Sequence, residues 1–128
     1  MKLAILYTRV ALAAAFLSAV ASRFGLWSGR FDVQRFEEFV VYTSEVNAFL
    51  PASIAPILAW AATIAETTLG IALLAGMRLR VVAFASAALL AVFALAMAIS
   101  FGPKSPLDYS VFSASAAALL LALCSGSR

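Results

Sequence analysis

Apolar residues in this chain fall into four long blocks separated by short polar breaks, and one block carries a carboxylate near its middle. The blocks place membrane-spanning helices at about 3–22, 54–76, 80–101 and 106–124, with a polar or amphipathic connection over 23–50. Each block approaches the roughly 20 residues a helix needs to cross about 30 Å of hydrocarbon. Local punctuation supports these limits. Pro51 and Pro56 mark the entry to the second span, where a first helical turn tolerates proline. Gly76 suits its C-terminal cap, and Met77–Arg80 forms a tight turn into the third. Gly102 and Pro103 end that span. Ser105 as N-cap, Pro106 at the first helical position and Asp108 three residues after the cap open the fourth.

The connection has its own pattern. Gly25, Ser28 and Gly29 interrupt the first helix, and Trp27 suits the headgroup zone. The Gly25–Gly29 spacing lies outside any span, so it carries no helix-dimer reading. From Asp32 onward, Phe36, Phe39, Val40, Thr43, Val46 and Leu50 recur at helical spacing, with Arg35, Glu37, Glu38 and Glu45 on other faces. This predicts an amphipathic helix lying on the membrane surface or capping the bundle. Its acidic face favours packing on protein, or facing the outside, over contact with anionic lipid.

The first block admits two readings. Lys2 and Arg9 as a basic region, Val10–Val20 as an apolar core and Ala19-Val20-Ala21 as a cleavage site would make a signal peptide. We take a retained span instead, because Arg9 lies two turns inside an otherwise continuous helical pattern.

Composition turns these blocks into a membrane protein. The 128 residues are 65% hydrophobic and 12% charged, and the mean hydropathy is +1.05. Soluble domains are about 45–50% apolar, so this chain lacks the polar surface to cover a core in water. One all-α domain over residues 1–128 is expected, an integral membrane four-helix bundle in contact with the lipid bilayer. The net charge of +3 does not indicate nucleic acid, since the arginines sit at the ends of apolar runs as membrane anchors. Lys2, Arg78, Arg80 and Arg128 lie on the side of the termini, against Arg23, Arg30, Arg35 and Lys104 on the other. The Arg78/Arg80 turn is the tightest and closest to its spans, which predicts termini in the cytoplasm.

There is no histidine and a single cysteine, Cys124. One thiol supports neither an internal disulfide nor a CxxC redox pair, and Cys124 reads as a small apolar filler. Haem, zinc and copper lose their commonest ligand, so no metal site is expected. Redox chemistry would need electrons carried by a partner or a diffusible cofactor such as a quinone.

Glu66 is the exception in the second block. A charge at the bilayer centre costs about 2.5–3.5 kcal/mol on insertion scales, so it must be paired, neutralised or turned to a polar cavity. With antiparallel helices, Arg9 lies within roughly 6 Å of its depth at 1.5 Å per residue, which predicts an Arg9–Glu66 pair or a shared polar cluster. The adjoining face of the second span is small or hydroxylated at Ala59, Ala62, Thr63, Thr67 and Gly70, suited to close approach and interhelical hydrogen bonds. Such a pair can fix helix register, contact a ligand or quinone headgroup, or relay protons. Trp60, Tyr109 and Tyr7 are candidate pocket walls or interfacial aromatics. Asp108 reads as a cap, and Ser110, Ser113 and Ser115 as packing residues.

The arginine early in span one, the amphipathic segment, and the E-x3-G-x2-LL-x-G-x-R pattern at Glu66, Gly70, Leu73, Leu74, Gly76 and Arg78 together resemble the DoxX-like membrane proteins. The turn Pro106–Tyr109 into the last span is similar as well. The resemblance implies a four-helix bundle in the bacterial cytoplasmic (inner) membrane and an association with oxidoreductase assemblies, among them thiosulfate:quinone oxidoreductase subunits and a complex with superoxide dismutase and a sulfurtransferase. Some relatives carry a histidine near the end of span three, where this chain has Ser100-Phe101-Gly102.

Three functions are then in competition. The first is an accessory or quinone-contacting subunit of a membrane oxidoreductase complex, not catalytic alone. Its partners would be soluble or membrane subunits of that complex, with a homo-oligomer also open. The second is a small proton-coupled transporter of hydrophobic cations, in which a membrane glutamate exchanges protons for drug; an arginine counter-ion competes with that role. The third is a self-contained enzyme, for which the chain lacks a nucleophile–base pair or metal set. A purely structural membrane subunit is the simplest alternative.

Overall fold

A computed structural model describes residues 1–125. Gly126–Arg128, including the end of the expected polar tail and one arginine of the charge comparison, lie outside the described residues. The chain is all-helical among those residues, as its periodicity predicts: α1 (Lys2–Arg23), α2 (Gln34–Val46), α3 (Ala55–Ala75), α4 (Leu79–Phe101), α5 (Lys104–Asp108) and α6 (Val111–Cys124). Single 3-10 turns at Leu26–Ser28 and Ala52–Ile54 precede α2 and α3. Among the described residues, three segments are long and apolar enough to cross a membrane: Lys2–Arg23, Ala52–Ala75 and Leu79–Phe101. This is an all-α membrane protein.

The ring of four packed helices is α1–α3–α4–α6, with α1/α3 and α4/α6 the closest pairs. Small side chains make that closeness feasible, since helices in lipid associate through close backbone approach rather than water exclusion. Ala13, Ala59, Ala83, Ala94, Ala118 and Ala122 are completely buried. A core of Leu12, Phe16, Leu73, Leu79 and Leu121 ties all four helices together around them. Ser115 Oγ donates to the Ala87 carbonyl at 2.8 Å, joining α6 to α4.

The fourth span differs from expectation. Ser110 adopts a left-handed conformation (φ 57°) and splits the segment into α5 and the 14-residue α6. Ser105 and Asp108 do not form the expected cap: Asp108 Oδ2 pairs with Lys104 Nζ at 2.5 Å, one turn back within α5. The break lets Val111 pack on Val46, Ala96 and Met97, beneath the end of α2. At about 1.5 Å per residue α6 is roughly 21 Å long, shorter than the hydrocarbon layer. Cys124 is exposed on α6, not packed as a filler. Ser113 is likewise exposed.

Two glycines set the α1/α3 register. A Cβ at Gly70 would lie 2.8 Å from Leu17 Cγ, so only hydrogen fits where the helices touch. Gly76 closes α3 at φ 72°, with Gly76 N–H donating to Leu73 O and Met77 N–H to Ala72 O. That double bond pattern is a left-handed helix stop which glycine adopts without strain. Gly70→Ala is expected to cost about 1–3 kcal/mol by overpacking. Thermal unfolding in detergent should show the loss, and shortening Leu17 to Ala in the same chain should recover much of it.

Candidate functional site

Three features of helix geometry converge at the end of the bundle away from the termini. α1 and α3 run antiparallel, so the last turn of α1 lies beside the first half of α3. Side chains on a helix lean toward its N-terminus, so Arg23 leans back along α1 into the bundle. Glu66 leans toward the start of α3, and the two meet. Arg23 Nη1 forms an ion pair with Glu66 Oε2, with 10% and 5% of the two side chains exposed. The same nitrogen donates to Thr63 Oγ1 at 3.1 Å. Its guanidinium lies over the Phe39 ring of α2, 3.8 Å from the centroid.

The Arg9–Glu66 pair expected from depth alone is therefore not formed. Arg9 obeys the same rule of direction and leans toward the N-terminal end of α1, away from Glu66. Its Nε and Nη2 donate to the carbonyls of Leu73 (2.9 Å) and Leu74 (3.0 Å). These are carbonyls of the last turn of α3, where a cation also meets the negative end of the helix dipole. A Cβ at Gly76 would lie 2.7 Å from Arg9 Nη2, so the glycine that stops α3 also admits the arginine.

The other candidates divide by location. Thr63 belongs to the pair, and Thr67 Oγ1 donates to the Thr63 carbonyl at 2.8 Å. Trp60, 47% exposed, packs on the buried Phe36 ring at 4.3 Å between centroids. Phe36 also stacks on Phe24 at 5.2 Å and meets Phe39 at 5.8 Å, forming an aromatic collar above the ion pair. Tyr7 is 75% exposed toward the Arg9 end and joins no cluster with Glu66. Tyr109 is 73% exposed and lies near Tyr42, whose hydroxyl is held above its usual pKa by burial and then by Tyr109 and Glu45. Neither Tyr7 nor Tyr109 lines the site. No cluster of three potential metal ligands occurs among the described residues.

Arg23 and Phe39 are the residues that sequence reasoning missed. Arg23 sits where a loop arginine would sit, and the direction of helical side chains was the signal that could have found it. α2 then acts as a roof. Thr43 and Val46 are buried on its inner face, and Ser100 Oγ of α4 donates to the Val46 carbonyl.

A family model described as methylamine utilisation protein MauE matches residues 1–108. The chain belongs to the MauE family. The match spans α1 to α5, and so includes Arg9, Arg23, Phe39, Glu66, Gly70 and Gly76. It shows a membrane-protein family, although not specifically the DoxX-like one that the Glu66–Arg78 spacing resembles. No curated protein and no solved structure matches the sequence.

A buried pair broken on one side leaves an uncompensated charge, which costs about 3–5 kcal/mol. In this MauE chain, Glu66→Gln and Arg23→Gln are each expected to destabilise on that scale, while the double substitution costs clearly less than their sum. Arg9→Gln should combine additively with Glu66→Gln, since the two groups share no partner. Thermal denaturation in one detergent across the five variants checks both statements.

Proposed function

We propose that this MauE-family protein is an accessory subunit of a membrane-bound redox system, holding a partner in place rather than performing chemistry alone. The observation that carries this reading is the closed state of the Arg23–Glu66 pair. Arg23 Nη1 is shared between Glu66 Oε2 and Thr63 Oγ1, and the Phe39 ring covers the guanidinium. A buried carboxylate already paired with an arginine and roofed by α2 suits a fixed scaffold better than a site that must bind and release cations. The chain's side chains add to the argument: with no histidine and one cysteine, it offers few of the groups that carry electrons. The family's description supplies the context, because use of methylamine requires breaking its C–N bond, and an oxidative break releases electrons to an acceptor.

Contact with a quinone is the finer part of the proposal, supported by the DoxX-like spacing around Glu66. A shallow apolar groove of about 570 Å³ between α3 and α4, lined by Ala65, Thr68, Leu69, Ala88, Leu89 and Val92, would hold a hydrophobic tail. We also propose the bacterial inner membrane with cytoplasmic termini, on the strength of Arg78 and Arg80 in the α3–α4 turn.

Mild-detergent purification from native membranes should recover the protein with an oxidoreductase subunit or with bound quinone. A solitary protein without quinone affinity would count against the proposal. So would a cation-stimulated proton flux in liposomes that Glu66→Gln abolishes, the behaviour of a transporter.

A further inference from the structure

The connection between α1 and α2 is folded rather than slack. Phe24 O accepts from Asp32 N–H at 2.7 Å, which closes residues 24–32 into a loop. Phe31 stacks on Phe24 at 5.5 Å, pinning that loop to the aromatic collar. Trp27 Nε1 donates to Ser18 O and Ser18 Oγ, both at 3.1 Å, holding the turn against α1. The loop and the start of α2 enclose a pocket of about 400 Å³ lined by Ser28, Arg30, Phe31, Asp32, Gln34 and Arg35.

Two arginines line this hollow, and neither makes an ion pair among the described residues. The pocket's one carboxylate, Asp32, accepts from Gln34 N–H through Oδ1 at 2.9 Å, and two arginines against one carboxylate leave the lining net positive. Arg35 is also held in place. A Cβ at Gly25 would lie 3.0 Å from Arg35 Cδ, so the stem of Arg35 runs tightly over this left-handed glycine. Trp27 beside the pocket is a side chain suited to the headgroup layer. Arginine's planar fork matches phosphate oxygens in paired hydrogen bonds, with the Gln34 side-chain amide as a further donor in the lining.

From this geometry we infer that residues 28–35 form a binding site for a phosphate ester, with Arg30 and Arg35 as its anion-binding groups. The site is separate from the Arg23–Glu66 pair and independent of the redox reading. A lipid headgroup and a soluble phosphate ester share this chemistry, and the test separates them.

The full chain is reconstituted in phosphatidylcholine nanodiscs with a minor share of phosphatidylglycerol, and protein-retained lipid is counted by native mass spectrometry. In a second arm, glycerol phosphate is added to nanodiscs of phosphatidylcholine alone. Retention of the anionic lipid, or binding of the soluble ester, should fall several-fold in Arg30→Gln/Arg35→Gln, on the scale of roughly fivefold per arginine at an anionic surface. Arg30→Lys/Arg35→Lys, which keeps the charge and loses the fork, should fall between, and it serves if the glutamine variant does not fold. Signal in the first arm alone identifies a lipid, and signal in the second identifies a soluble ester. No anionic preference in either arm, or equal binding by wild type and both variants, overturns the inference.

Discussion

A charge in hydrocarbon has to be answered by another charge or by hydrogen bonds, and Glu66 makes that demand of this fold. Its answer is Arg23, and much of the molecule follows from their meeting. α1 must end where α3 has just begun, which fixes their antiparallel register. Gly70 must be bare so that Leu17 can come close enough to hold that register. α2 must fold back over the bundle so that Phe39 covers the guanidinium and Phe36 seals the edge beside Trp60. A buried ion pair is weak evidence for stability, because desolvation offsets much of its attraction. It is better evidence for specificity, since few arrangements of these helices leave both charges satisfied.

The two arginines of α1 divide the work between the ends of the bundle. Arg9 ties the first half of α1 to the closing turn of α3, where the carbonyls of Leu73 and Leu74 accept from its guanidinium. Arg23 ties the last turn of α1 to the middle of α3. With Gly70 between them, α1 and α3 are fastened at three levels. The α4/α6 pair relies instead on alanine packing and one hydroxyl, Ser115 on Ala87.

Much of the fold was legible in the chain because apolar block length and helix punctuation are local properties. Gly76, Pro56, Gly102 and Pro103 act where their backbone preferences place them. The amphipathic run beginning at Asp32 is a helix packed on the bundle. The fourth span was misread because its break is not local: Ser110 turns left-handed so that Val111 can reach Val46 and Met97, contacts that no nearby residue announces. The site was half legible. Glu66 and Thr63 were identified by residue type and position, but depth along the membrane normal was the wrong coordinate for choosing the arginine. The lean of helical side chains separates Arg9 from Glu66 and brings Arg23 to it.

That choice of partner is the central claim, and it reaches function through the roof. If Glu66 is held by Arg23 under Phe39, the site is closed and the protein suits a fixed accessory role; if Arg9 held it, the end beneath α2 would be open. Carbon–nitrogen recoupling by solid-state NMR in bilayers, between glutamate carboxylate carbons and arginine guanidinium nitrogens, tests this directly. The close contact should be present in the wild type, persist in Arg9→Lys and vanish in Arg23→Lys. Loss of the signal in Arg9→Lys, with Arg23→Lys unchanged, would contradict the account.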